Sequence, residues 1–185
     1  MGIQKNEIAI AVGYNGIREQ QHLEVVKSLN ELDFGDKKNL HIYIHMGYGA
    51  SDDLYMKELN DELLKLGCKY TISKKFMDES EIARLRFAMD IFINAQTTDA
   101  LSASMLEYLY AGCIVLNPEW LKYDFLKENK IYNCIYKDFQ DLPQKLQKVL
   151  FCNKNIEEQI EHTKQIIFLS YSWEKIIEKW QKLYH

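Results

Sequence analysis

Proline and glycine are scarce, 2 and 8 in 185 residues. A chain so poor in both is neither collagenous nor a low-complexity, loop-dominated one. Charge of one sign is also missing. The 23 basic and 27 acidic side chains leave a net charge of -4, which excludes a protein drawn to nucleic acid by charge alone. No apolar run approaches the roughly 18 residues that a membrane-spanning helix needs. The opening residues Met1 to Glu7 lack the apolar core of a secretory signal. Asn6 stands where a myristoylation pattern wants Ser or Thr. The four cysteines, Cys68, Cys113, Cys134 and Cys152, form no C-x-x-C pair. Each lies in or beside an apolar run, so buried, reduced thiols and a cytoplasmic location are expected. His41 and His45 are four apart but fall in a strand-like run, so no metal site is expected.

What is present is ordinary globular material, 47% hydrophobic and 12% aromatic, enough for one domain. Apolar runs alternate with helical patterns along the chain. Ile8 to Val12 reads as a buried strand that ends at Gly13-Tyr14-Asn15-Gly16, and Val25, Leu29 and Leu32 then recur at helical spacing. Leu40 to Ile44 is a second strand. A helix capped by Ser51 follows, with Met56, Leu59, Leu63 and Leu66 on one face and Gly67 at its end. Cys68 to Ile72 is a third strand. Asp78 and Glu81 form a capping box for a helix lined by Ile82, Leu85 and Met89. Asp90 to Ile93, Cys113 to Leu116 and Asn133 to Tyr136 complete the strands. Helices are expected from about Ser102, over Leu121 to Lys127, and from Asp141 with Pro143 in its first turn. Ile156, Ile160 and Ile167, then Trp173, Ile176, Ile177, Trp180, Leu183 and Tyr184, mark terminal helices.

This alternation predicts an α/β fold. It is a single Rossmann-like, doubly wound parallel sheet of about six strands, with C-terminal helices packing back on it. Ligands of such sheets lie beyond the carboxyl ends of the strands. Two loops there carry candidate chemistry. Gly13 and Gly16 let the backbone approach a bound group, and Arg18 just after them can meet a phosphate. A tight turn with a surface arginine is the equally weighted alternative. After the fourth strand, Asn94 to Glu107 brings small and hydroxyl residues to the start of a helix, where free N–H groups favour an anion. Ser102 or Ser104 taken alone is more readily an N-cap. Glu107 can accept hydrogen bonds from sugar hydroxyls or can simply face solvent.

These residues resemble the C-terminal, donor-binding half of a GT-B glycosyltransferase of the family 4 type. The first-strand loop Val12 to Gly16, the stretch Asp90 to Gln96 with Ala95 and Gln96 in place of the family's Pro-Ser, the run Leu106 to Val115, and the terminal Ser172-Trp173 to Leu183-Tyr184 follow that family's order. Asp99 and Glu107 are eight apart, a D-x7-E variant of its E-x7-E motif. A looser similarity links Gly13 to Leu29 and Met46 to Tyr48 with the family that transfers 4-acetamido-4,6-dideoxygalactose from its TDP donor.

The resemblance implies that Glu107 binds ribose and that Asp99 faces the donor sugar. It also implies that the amides of Ser102, Ala103 and Ser104 hold the diphosphate, and that Phe76 and Met77 clasp the base. Arg18 would neutralise the leaving nucleoside diphosphate. The substrate would be a UDP-, TDP- or GDP-sugar, with no metal and no further cofactor. The acceptor would be a glycan or lipid-linked glycan in polysaccharide assembly. Residues 1–185 would be the donor domain alone, inactive in transfer without an N-terminal acceptor domain. The full enzyme would be cytoplasmic, with peripheral contact to the inner membrane face as an option. A non-catalytic nucleotide-sugar-binding or regulatory module and a sugar-nucleotide epimerase half remain as alternatives.

Overall fold

The computed structural model describes residues 2–49, 52–151 and 156–182. Six strands form one sheet: β1 (Ile8–Val12), β2 (Leu40–His45), β3 (Lys69–Ser73), β4 (Ile91–Ile93), β5 (Ile114–Pro118) and β6 (Cys134–Tyr136). Their order is β3-β2-β1-β4-β5-β6, and every pairing is parallel. This is the expected doubly wound sheet. The order reverses between β1 and β4, so the loops that leave those two strands part and open a crevice.

Helices cover both faces. α1 (His22–Leu29), α3 (Asp53–Leu66) and α7 (Leu142–Leu150) lie over one face. Leu29, Leu59 and Leu63 meet Ile10, Ile42 and Ile44 there, all fully buried. α4 (Glu79–Phe87), α5 (Ala103–Ala111) and α6 (Asp124–Glu128) cover the other. There Ala9, Ala11, Tyr43, Phe92 and Val115 meet Leu85, Tyr108 and Leu126. Strands buried on both sides read as continuous apolar runs, as these do. Small Ala9 and Ala11 make room for the Phe92 ring, which stacks on Tyr108 at 4.1 Å. A short helix, α2 (Phe34–Lys37), was not expected from the sequence.

Most local signals act as read. Gly67 ends α3 at φ 72°, and Asp78 and Glu81 make the reciprocal capping box of α4. Ser51 lies outside the described residues, and the cap of α3 is Asp52, whose carboxylate accepts from the Tyr55 N–H. Asp141 occupies the N-cap position of α7, but its carboxylate accepts from the Lys137 N–H instead of a helix amide. The reason is its helical backbone (φ -80°, ψ -25°), which does not aim the side chain at the first turn.

The terminal helices depart in part from the expectation. α8 (Ile156–Tyr171) packs back on α5 through Thr163 and Ile167. α9 (Trp173–Gln181) has no buried residue, and Trp173 is 78% exposed. Cys152, Leu183 and Tyr184 fall outside the described residues. Burial pushes the Cys113 thiol up to about 12, so it stays protonated and donates to the Met89 carbonyl at 3.0 Å. Among the described residues no helix is long and apolar enough to cross a membrane.

Candidate functional site

The crevice is built at the carboxyl ends of β1 and β4. Gly13 leaves β1 at φ 63°, and its N–H donates to the Ile93 carbonyl at 3.2 Å. A β-carbon there would come within 2.7 Å of His22 Nε2 and 3.0 Å of Gln20 Oε1. Glycine is therefore required twice, by its backbone angle and by the side chains packed under it. Gly16 donates its N–H to the Tyr48 carbonyl at 2.7 Å, which ties the first loop to the loop after β2. Both glycines thus shape the rim against this chain's own atoms.

The loop after β4 is pinned on several sides. Gln21 donates its amide to the Ala95 carbonyl at 2.6 Å, and Thr97 N–H donates to the Glu19 carbonyl at 3.0 Å. Trp120 Nε1 donates to the Gln96 carbonyl at 2.9 Å, and the Tyr136 hydroxyl donates to the Asn94 carbonyl at 2.6 Å. Tyr14 donates its hydroxyl to Gln96 Oε1 across the mouth. Gln21 itself holds a left-handed backbone at φ 53°, a strained state for a residue with a side chain. The loop is therefore tied to four neighbouring segments of the chain.

The loop delivers the start of α5. Ser102 is the N-cap, and its hydroxyl accepts from the Met105 N–H at 3.1 Å. Its oxygen is thus engaged by the helix, while the hydroxyl proton can still be donated elsewhere. Ala103 and Ser104 follow at the first two helical positions, where N–H groups have no intrahelical acceptor.

The two acidic residues are each held by one donor from a neighbouring element. Asp99 Oδ2 accepts from the Tyr123 hydroxyl at 2.8 Å. Glu107 Oε2 receives Arg86 Nε at 3.3 Å. Glu107 is half exposed, whereas Arg86 is buried, with its guanidinium 4.1 Å above the Tyr108 ring. The exposed side of that ion pair discounts its contribution to stability. Its structural effect is to set the direction of the Glu107 carboxylate.

Other predicted residues lie less centrally. Arg18 pairs with Asp52 and sits over the Tyr55 ring at 5.1 Å, at an exposed position on the outer side of the rim. Its guanidinium is engaged rather than free, and a ligand must compete with Asp52 for it. Met77 packs against the core of the second face, while Phe76 is 73% exposed. Of that pair, Met77 is anchored to the body and Phe76 faces solvent.

Several residues at this end of the molecule were not singled out in the sequence. Arg86 is one, and its signal was visible: it sits at a position of the Ile82, Leu85, Met89 stripe that should be apolar. Tyr123 and Asn94 are others. His45 ends β2, with Nε2 3.3 Å from the Lys75 carbonyl and Nδ1 buried without a partner. Burial lowers its pKa, so the ring is neutral and Nε2 carries the proton. Lys75 itself is paired with Glu81. Two concave surfaces lie nearby. One of about 530 Å³ runs from Ala103 and Glu107 past Tyr110 to Ile167 and Trp173. A larger one of about 800 Å³ between α1 and α7 contains none of the predicted site residues.

No protein-family model matches the sequence, and no curated protein matches it. Solved structures do. A glycosyltransferase from Rickettsia africae matches with a TM-score of 0.78 at 15% identity, over 98% of this chain and 48% of that one. Sucrose-phosphate synthase from Thermosynechococcus elongatus matches at 0.75 and 14%, over 97% and 45%. The catalytic domain of cholesterol-alpha-glucosyltransferase from Helicobacter pylori matches at 0.66 and 14%, over 87% and 97%. The chain thus spans under half of the first two. At such identities the likeness carries the fold, which is that of glycosyltransferase domains of the GT-B type.

Proposed function

We propose that the chain is the donor-binding domain of a GT-B glycosyltransferase. It takes a nucleoside-diphosphate sugar whose glycosyl group goes to a glycan or lipid-linked acceptor held by a second domain. One observation supports this reading: two acidic residues flank the start of α5, Asp99 in the loop before it and Glu107 on the helix itself. Each carboxylate is held from behind by a single donor.

The chemistry follows from that arrangement. Breaking the glycosidic bond leaves negative charge on the departing diphosphate. The Ala103 and Ser104 amides and the positive end of α5 stabilise that charge without having to reorganise. Glu107 fixes the ribose, and Asp99 faces the sugar. Arg18 supplies a cation if it exchanges Asp52 for phosphate. No step in this scheme calls on a metal. A non-catalytic nucleotide-sugar-binding module is the second reading, and the pairing of Arg18 with Asp52 is what favours it.

Thermal shift and calorimetry with UDP, TDP, GDP and ADP test the proposal. One diphosphate should stabilise the chain by about 2.7 kcal/mol at one hundred times its Kd. Glu107→Ala should weaken that binding about tenfold, the worth of one charge-assisted hydrogen bond. Failure of all four diphosphates to bind at millimolar concentration refutes it.

A further inference from the structure

Asp99 ends a directional chain of hydrogen bonds that starts in the core. Asn94 is fully buried at the end of β4, and its Oδ1 accepts from the Gln96 N–H at 3.4 Å. That contact identifies the other side-chain atom as the amide nitrogen. Asn94 Nδ2 donates to Asn117 Oδ1 and to the Tyr123 hydroxyl, both at 3.0 Å. Asn117 Nδ2 in turn faces Asn133 Oδ1 at 3.5 Å. Because the Tyr123 oxygen already accepts from Asn94, its proton has one remaining direction, to Asp99 Oδ2 at 2.8 Å. Burial and the nearby Asp99 carboxylate raise the Tyr123 pKa, so the hydroxyl keeps that proton. Among the described residues no donor reaches Asp99 Oδ1.

We infer that Tyr123 is a positioning residue: by donating to Asp99 Oδ2, it fixes the carboxylate and leaves Oδ1 to receive a hydroxyl, which selects a hydroxyl-bearing sugar on the donor. The inference rests on the donor-domain reading and deepens it. It makes Asp99 a reader of sugar hydroxyls. It also makes the contact specific to the glycosyl group, because the diphosphate brings only acceptors to this position.

The test compares UDP with UDP-glucose, TDP with TDP-glucose, and GDP with GDP-glucose by calorimetry on the full chain. The quantity read is the ratio of the two Kd values within the pair that binds. Wild-type protein should prefer the sugar conjugate. Tyr123→Phe should reduce that preference about tenfold and leave the affinity for the bare diphosphate within about twofold. Asp99→Asn should reduce it at least as far, and adding Tyr123→Phe to Asp99→Asn should change nothing more. An unchanged preference in Tyr123→Phe overturns the inference, as does equal weakening of both ligands, which marks a purely structural role. A wild-type protein that binds the diphosphate with no gain from the sugar also overturns it, while leaving the donor-domain reading intact. Absence of binding by every diphosphate instead refutes that reading, and the inference with it.

Discussion

The amino and carboxyl edges of the sheet treat buried polar groups in opposite ways. At the amino edge Glu7, its side chain 6% exposed, accepts from Lys69, from the Gln4 N–H and from His41 Nδ1, while His41 Nε2 meets Thr71 Oγ1 at 2.9 Å. That network is closed. The buried polar side-chain atoms without partners, among the described residues, belong to Gln20, His22, His45, Arg86 and Tyr108. Gln20 and His22 follow β1, His45 ends β2, and Arg86 and Tyr108 lie between α4 and α5, next to Glu107. Unpaired buried groups cost stability, and folded proteins keep few of them. Their concentration beside the crevice means that stability is spent where the rim must be shaped. The opposite edge is built for holding the sheet together.

The strongest way to break this comparison is Gly13→Ala. The new β-carbon meets His22 and Gln20 and must also adopt a positive φ. Those two effects should cost about 2–4 kcal/mol together, read as a shift in the urea midpoint. A cost below about 1 kcal/mol would show that the His22 and Gln20 packing under the rim yields easily.

Acid sharpens the comparison, because the two edges fail in different pH windows. Burial lowers the His22 pKa from 6.5 to about 4. The unfolded chain therefore takes up a proton before the folded one does. Stability falls as pH drops from 6.5 and levels off near 4, by about 3 kcal/mol in total. Glu7 acts in the same direction, in a lower window. Its hydrogen bond from Lys69, with those from Gln4 and His41, lowers it from 4.5 to about 2. Its contribution is intact above 4.5 and is lost as pH falls toward 2. Denaturant titrations across pH should show His22→Gln flattening the upper window and Glu7→Gln flattening the lower. Interchanged windows would sink the assignment.

The smallest effect is expected at Tyr108. Its hydroxyl is buried without a partner, and the ring stacks on Phe92. Tyr108→Phe keeps the ring and removes the orphan group, so it should be neutral or stabilising by up to about 1 kcal/mol. A clear loss of stability would reveal a hydrogen bond to Arg86.

Much of the fold was legible because its signals are local. Ile8 to Val12 and Leu40 to Ile44 are apolar whichever way the sheet is wound, since both faces are covered. Asp78 with Glu81, Ser102 and Gly67 act within one turn of themselves, so their spacing suffices. The misread elements depended on what residue spacing does not carry. Asp141 turns to Lys137 because of its own backbone angles, and α9 presents Trp173 to solvent although its stripe looks like a core face. Arg86 sat in plain view on an apolar stripe, but only the Glu107 carboxylate and Tyr108 ring from α5 explain it.

The sequence by itself determined the elements, the alternation that makes the sheet parallel, and the loops at the carboxyl ends of its strands. Those depend on periodicity and on caps, which act over a few residues. The tertiary structure alone decided which way the sheet reverses between β1 and β4. It alone engaged Arg18 with Asp52 and gave Asp99 and Glu107 their donors from Tyr123 and Arg86. Those contacts join residues 21 to 34 positions apart. A hydrogen bond requires its partners within about 3 Å, and only the folded chain brings them there.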